Sequence, residues 1–274
     1  MVNDSKTKNI AIVRSKQTKE KKVVDEPWRL ATKLGSLLGD TEDIANRKLK
    51  SNTTLHTIEK SWYKKDHVKQ SVKLHAYKIL VKHILMYNSP TWGITARDEK
   101  ILNAFHRQQL RKVLNVRWPR RMRNDDVYKL AQEKPLSLQI LSARWRLLGH
   151  CLRLPSDTLT QRAMQYYFAA TKSPKFRGQP RITLPVTLHN DIRKAAISPH
   201  HGPFGILGLQ SAHDLWKLGN LASNRKEWQQ LVDLIYKAAE GTLSAFSAHS
   251  SAQLLSVEGV NKAFLVACLY SPRW

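Results

Sequence analysis

Residues 66–87 read DHVKQSVKLHAYKILVKHILMY. Val68, Val72, Ala76, Ile79, Leu80, His83, Ile84 and Tyr87 recur there at intervals of three and four, the period of a helix with one buried face. Lys69, Lys73, Lys78 and Lys82 fall on its other faces. Asn88-Ser89-Pro90 ends it, because a proline drives the preceding residue out of helical backbone. The same period returns downstream. Thr95 is placed to cap a second helix, with Asp98 near the reciprocal position of a capping box. Its apolar stripe is Ile101, Leu102, Phe105, Leu110, Val113 and Leu114, and it stops before Trp118-Pro119. Asn124 caps a short third helix whose first turn carries Asp125 and Asp126, where carboxylates complement the helix dipole. After Pro135, Ser137 caps a fourth with Leu141, Trp145, Leu148 and Leu152 on one face and Arg144, Arg146 and Arg153 off it.

Working outward, residues 41–62 carry a looser helical pattern in Ile44, Leu49, Leu55, Ile58 and Trp62. Between Lys33 and Asp40, two glycines flank Leu37-Leu38, which suits a tight strand–turn–strand or a strand leading into a helix. Ile10 to Val13 is an apolar island that reads as a strand within a lysine-rich stretch. Further helical segments are expected at 157–170, 184–197, 211–221 and 223–240, the last with Trp228, Leu231, Leu234 and Ile235. His200 to Leu209 is a glycine-rich loop, and 241–274 is small-residue and serine-rich. Residues 171–185, TKSPKFRGQPRITLP, are rich in proline and base and read as an extended boundary. The fold class is therefore mainly α with a short N-terminal β-hairpin. Its parts are 1–40 with the lysine-rich loop and hairpin, 41–170 as a basic helical domain, 171–185 as linker, 186–240 as a smaller helical region, and 241–274 unassigned.

Charge decides the partner. Of 274 residues, 46 are Lys or Arg and 21 are Asp or Glu, a net +25. Residues 1–181 hold 38 of the bases and 15 of the acids, whereas 182–274 hold 8 and 6. No acid occurs between Glu99 and Asp125, while Lys100, Arg107, Arg111, Lys112, Arg117, Arg120, Arg121 and Arg123 all fall there. A solvated helix face ordinarily mixes signs, since like charges one turn apart repel. Nucleic acid is the polyanion that best offsets such a surface. Only Cys151 and Cys268 are present, which excludes a disulfide scaffold and a four-cysteine zinc module. No run of about 18 apolar residues reads as a bilayer span, and MVNDSKTKNI lacks the apolar stretch of a secretion signal. The expectation is an intracellular protein, nuclear or cytoplasmic, with no membrane partner.

Several short motifs, in order, resemble one family. Val2-Asn3-Asp4-Ser5-Lys6-Thr7 is similar to its "VNxxKT" stretch, Leu34-Gly35-Ser36 to its "YLGS" hairpin, and Met86-Tyr87-Asn88-Ser89-Pro90-Thr91-Trp92 to its "YGSETW"-like motif. Phe105 to Leu114 resembles "FxxRxLRxIL", Arg146 to His150 with Arg153 resembles "RxLGHxxR", Arg177 to Arg181 resembles "GRPR", and Arg225-Lys226-Glu227-Trp228 resembles "DRxxWR". The family is the LINE-type (non-LTR) retrotransposon endonuclease–reverse transcriptases, in the part downstream of the polymerase active site, and the likeness covers about residues 2–230. Lys33 stands where that family has tyrosine, Asn88 where it has glycine, and Gln108 and Gln179 where it has arginine, so two potential phosphate contacts are missing.

The resemblance implies a thumb-like helical domain, a hairpin remnant of the palm, and Leu34, Gly35 and Ser36 in the position of a primer grip. It implies that the metal-binding carboxylates of the polymerase lie upstream of the "VNxxKT" stretch, so the chain is expected to have no catalytic residues, no metal, no cofactor and no enzymatic activity of its own. Asp125-Asp126 is better explained by its helix start than by a pair of metal ions. His189, His200, His201 and His213 lack a recognisable ligand spacing. His150 and Cys151, adjacent on a helix, point in different directions, so Cys151 reads as a core residue. Trp92, Trp118 and Trp145 are candidates for base stacking, with Trp145 better suited to the core.

Arg107, Arg111, Lys112, Arg117, Arg120, Arg121 and Arg123 are the expected phosphate contacts on RNA–DNA hybrid or duplex DNA. Arg144, Arg146, Lys175, Arg177 and Arg181 are second-rank contacts. Six acting contacts correspond to a slope of roughly −5 in log affinity against log salt. The alternatives are a stand-alone helical DNA-binding or regulatory protein, which needs a groove-inserted helix, and a non-functional retrotransposon remnant.

Overall fold

The structure is a computed structural model. It describes residues 27–63, 65, 67–168, 184–195, 204, 206, 208, 209 and 211–241. The expected strand at Ile10–Val13, residues 171–183 of the basic stretch and the tail beyond 241 lie outside them. The described chain is mainly helical and begins with a short antiparallel hairpin, as the sequence predicts.

In the hairpin, β1 (Thr32–Lys33) pairs with β2 (Ser36–Leu37), Thr32 opposite Leu37 and Lys33 opposite Ser36. Leu34 and Gly35 make the two-residue turn with φ of +49° and +79°. Positive φ at both positions matches the twist of the flanking strands. Glycine adopts it freely and leucine does not. Leu34 is held there by the Tyr87 hydroxyl, which donates to its carbonyl at 2.7 Å.

Helix α1 (Asp40–Ile58) runs on into a π-helical turn, Glu59–Tyr63. Next, α2 (Gln70–Ala76) continues through π-helical Tyr77–Lys82 into α3 (His83–Met86). Here the structure corrects the expected buried face. Of the expected stripe Ala76 is buried, but Val72, Ile79 and Leu80 are 45%, 49% and 47% exposed, and Lys73, Tyr77, Val81 and Leu85 point into the core. A π turn takes more residues than an α turn, so side chains four apart stay in line and the stripe next to the expected one is enclosed.

Helix α4 (Ala96–Val113) starts with the complete capping box: the Asp98 N–H donates to Thr95 Oγ1 and the Thr95 N–H to Asp98 Oδ2, both at 3.1 Å. Its inward face holds Asn103, His106 and Gln109 beside Leu102, Leu110 and Val113, whereas Ile101 is 38% exposed. Helix α5 (Asn124–Ala131) has Arg123 at its cap position, so Asn124 is the first helical residue and not the cap. Helix α6 spans Leu136–Leu152, and Ser137 lies in its first turn. Asn103 of α4 serves that end instead, accepting the Ser137 N–H on Oδ1 at 3.1 Å and donating to Ser137 Oγ at 2.9 Å.

The chain divides into unit 1, Met1–Arg144 with Pro180–Leu184, and unit 2, Trp145–Gln179 with Pro185–Trp274. The division falls inside α6, upstream of the boundary read from composition at 171–185. In unit 1 one apolar cluster gathers Leu55, Tyr77, Val81, Leu110, Val113 and Val127, and another gathers Ile44, Leu85, Trp92, Leu102, Leu136 and Ile140. A buried chain of hydrogen bonds runs from the Tyr77 hydroxyl to Gln109 Oε1 and from Gln109 Nε2 to Ser51 Oγ, both at 3.0 Å, tying α4 to α1.

Unit 2 takes the second half of α6 with α7 (Leu159–Phe168), α8 (Leu184–Ala195), α9 (Ala212–Ser223) and α10 (225–241). Trp145, Leu148 and Leu152 are buried, as their spacing predicts, together with Ile192, Leu218, Trp228 and Leu231. The Trp145 indole donates to Asp191 at 3.1 Å, and the Trp228 indole donates to the Trp145 carbonyl at 3.1 Å. Trp228 lies directly over Gly149, where a β-carbon would collide with the indole. The Gln161 amide donates to the carbonyls of Cys151 and Leu152 at 2.9 and 3.0 Å, satisfying groups that the end of α6 leaves open.

Candidate nucleic-acid interface

The acid-free stretch folds as α4 from Lys100 onward and the loop 114–123 that leads to α5. The loop is anchored at several points. Val116 is buried and Met122 packs on the same apolar cluster. The Arg111 guanidinium donates to the Met122 carbonyl at 3.2 Å and to Asn124 Oδ1 at 2.9 Å. Arg117 pairs with Glu59 at 3.2 Å. Arg120, Arg121 and Arg123 are exposed and have no partner among the described residues. Trp118, 84% exposed, stands beside them.

The expected phosphate contacts thus fall into distinct groups. Arg107 is half-buried, and its charge beside the Tyr128 hydroxyl works against the rise that burial gives the Tyr128 pKa. Arg111 and Arg117 are held as described, so these arginines are engaged within the protein. Lys112 is half-exposed and without a partner among the described residues. Arg144 corrects the sequence reading: it is only 4% exposed, and a guanidinium enclosed by protein does not reach a phosphate. Arg146 is exposed, on the part of α6 that belongs to unit 2. Lys175, Arg177 and Arg181 lie outside the described residues. Nothing in the spacing of Arg111 signals that it is held by a carbonyl eleven residues on.

Leu34, Gly35 and Ser36 sit at the hairpin tip. Leu34 is 85% exposed, whereas Ser36 is buried. Arg47 of α1 donates to Ser36 Oγ at 2.9 Å and to the Gly35 carbonyl, and its guanidinium lies 4.3 Å from the centre of the Tyr87 ring. Asp43, one turn earlier, is 3.5 Å from Arg47 Nε and accepts from the Leu37 N–H and the Trp92 indole, both at 3.0 Å. The "LGS" and "YNSPTW" motifs are therefore joined through Asp43 and Arg47, two residues that sequence reasoning did not single out. Their spacing of four on α1 is the available signal. Asn88 has φ of +59°, a left-handed conformation that asparagine tolerates better than most non-glycine residues, at the position where the family it resembles carries glycine.

Other candidates resolve into structural roles. His106 is fully buried between Tyr77 and Tyr128, ring centres 6.0 and 5.7 Å away, and neither of its nitrogens has a partner. Burial pushes its pKa down to about 4, and the Lys82 and Arg107 charges add to this against Glu133. Trp92 and Trp145 are enclosed, at 1% and 0%. His189 Nδ1 accepts the Leu209 N–H at 3.1 Å, and His213 stacks on Trp216. His200 and His201 lie outside the described residues. Cys151 is half-buried, and burial raises its thiol pKa. Asp125 and Asp126 are exposed in the first turn of α5. Among the described residues, no group of three or more His, Cys, Asp or Glu is placed to hold a metal ion. No family model, curated protein or solved structure matches the chain.

Proposed function

We propose that the chain binds nucleic acid by its sugar-phosphate backbone through the loop between α4 and α5, as the template–primer-holding part of a non-LTR retrotransposon reverse transcriptase. It is assigned the holding of nucleic acid and not phosphoryl transfer. The observation that carries this reading is the set Arg120, Arg121 and Arg123, exposed and unpaired among the described residues on a loop anchored through Arg111, Val116, Arg117 and Met122. A guanidinium fork matches a phosphate in shape and charge. Such contacts fix position without reading sequence. Duplex DNA or RNA–DNA hybrid is the ligand, with Lys112 as a further contact.

The alternative of a sequence-reading helix is weakened by α6, which follows α5 after a short turn. Leu136, Leu138, Ile140, Leu141, Arg144, Trp145 and Leu148 are all buried, which leaves too little free surface to enter a major groove. Among the described residues, no helix is long and apolar enough to cross a membrane. A nuclear or cytoplasmic site of action belongs to the proposal.

The test is a salt titration of affinity for a random DNA duplex and for an RNA–DNA hybrid of the same sequence. Four available cations correspond to a slope of roughly −3 to −4. Replacing Arg120, Arg121 and Arg123 by alanine is expected to flatten it by about 2.7, equally for duplexes of different sequence. An unchanged slope in that variant overturns the assignment.

A further inference from the structure

Unit 2 contains a cleft of about 240 Å³ whose lining includes Leu152 and Gln161 beside Gln165, Trp216 and Asn220. At that volume it is smaller than the roughly 300–1,000 Å³ of pockets that enclose a drug-sized molecule, and it admits a single planar group. Trp216 is 61% exposed, and the His213 ring lies nearly parallel to it, 12° between planes and 5.9 Å between centres. The other tryptophans described in unit 2, Trp145 and Trp228, are buried, so Trp216 presents its indole where the core has no use for it.

The polar groups around the cleft divide in two. The Gln161 amide is occupied by carbonyls at the end of α6. The amides of Gln165 and Asn220 have no partner among the described residues and are free to donate and accept. Charge is added by exposed neighbours. Arg162 is one helical turn from Gln165 and from Tyr166, itself 78% exposed, and Lys217 is one turn from His213 and Asn220. The acid on the same stretch of α9, Asp214, is committed to the capping box with Ser211.

We propose that this cleft takes an unpaired base of single-stranded nucleic acid. The base stacks on Trp216, its edge meets the Gln165 and Asn220 amides, and the flanking phosphates meet Arg162 and Lys217. Stacking platforms beside positive charge are the general means of holding single strands, and they tolerate any base because every base has a π-face. A base inside a duplex is stacked and paired and cannot enter. The inference rests on the proposed function for the class of ligand, and on a different surface for the contact.

The experiment measures the binding of oligothymidylate and of a blunt DNA duplex to the full chain. Trp216→Ala is expected to lower single-strand affinity roughly tenfold and to leave duplex affinity unchanged. Trp216→Phe, which keeps a ring at this exposed site, retains most of the binding. The double variant Arg162→Gln, Lys217→Gln flattens the salt dependence of single-strand binding only. Helix content from circular dichroism accompanies each variant; should Trp216→Ala lose helix, Trp216→Phe and the charge variant decide. Wild-type single-strand affinity in Trp216→Ala overturns the proposal, as does a loss seen only toward polyglutamate or anionic vesicles. Alanine at Arg120, Arg121 and Arg123 tests the duplex site separately: if duplex binding survives it while Trp216→Ala weakens single-strand binding as expected, the proposed function fails and the cleft stands.

Discussion

Asp43 and Arg47 are opposite charges enclosed at 0% and 6% exposure, and between them they hold the hairpin, Trp92 and Tyr87. Removing one member of such a pair leaves the other charge buried without compensation, which costs about 3–5 kcal/mol. Asp43→Asn is therefore expected to lower the urea midpoint sharply, and a shift within error of wild type would contradict the geometry. His106 makes a second residue-scale prediction. Its pKa in the folded protein is about 4 against the ordinary histidine value of 6.5, so the unfolded chain binds the proton more readily between these values. The contribution of the neutral ring is complete above pH 6.5 and is lost as pH falls toward 4, roughly 3 kcal/mol in all. Thermal midpoints measured across that window are expected to fall with pH in wild type and much less in His106→Phe. Neither effect was legible in the sequence, because a histidine or an arginine in a helical stripe carries no mark of facing inward.

At the scale of elements, the helices were legible and their faces only partly so. Thr95 and Asp98 announced α4, and the spacing of Leu141, Trp145, Leu148 and Leu152 gave both α6 and its buried side. Residues 68–87 offered two apolar stripes, and periodicity alone favoured the one that, Ala76 apart, stays at least partly exposed, since nothing in it marks the π-helical stretch at Tyr77–Lys82. The motifs quoted for the family interlock in pairs. "LGS" meets "YNSPTW" around α1, and "RLLGH" meets "RKEW" where Trp228 covers Gly149. Packing thus accounts for these residue choices whatever the ligand. Gly149→Ala drives a β-carbon into an indole that is also hydrogen-bonded to the Trp145 carbonyl. A cost of about 1–3 kcal/mol is expected in chemical denaturation, and a neutral substitution would mean that Trp228 does not sit there. For the candidate site, the sequence showed where positive charge concentrates. It could not separate Arg120, Arg121 and Arg123, which face solvent, from Arg107, Arg111, Arg117 and Arg144, which are engaged or enclosed.

For the whole molecule, the excess of positive charge lies in residues 1–181, and Arg120, Arg121 and Arg123 are an exposed cluster of it on one anchored loop. The composition break at 171–185 suggested where the chain could be parted, yet the two units meet within α6. That has a practical consequence for anyone dissecting the protein. A fragment ending at residue 170 keeps Trp145, Leu148 and Leu152 but discards Ile192, Leu218, Trp228 and Leu231, and with them the Asp191 carboxylate that accepts from the Trp145 indole. Such a fragment should bind the dye ANS strongly and sediment as aggregates, while the intact chain stays monodisperse; equal behaviour of the two would count against the division. Domain-by-domain expression guided by the proline-rich stretch is thus a poor route to soluble material, because a cut there leaves the second half of α6 without the residues of its own unit that cover it.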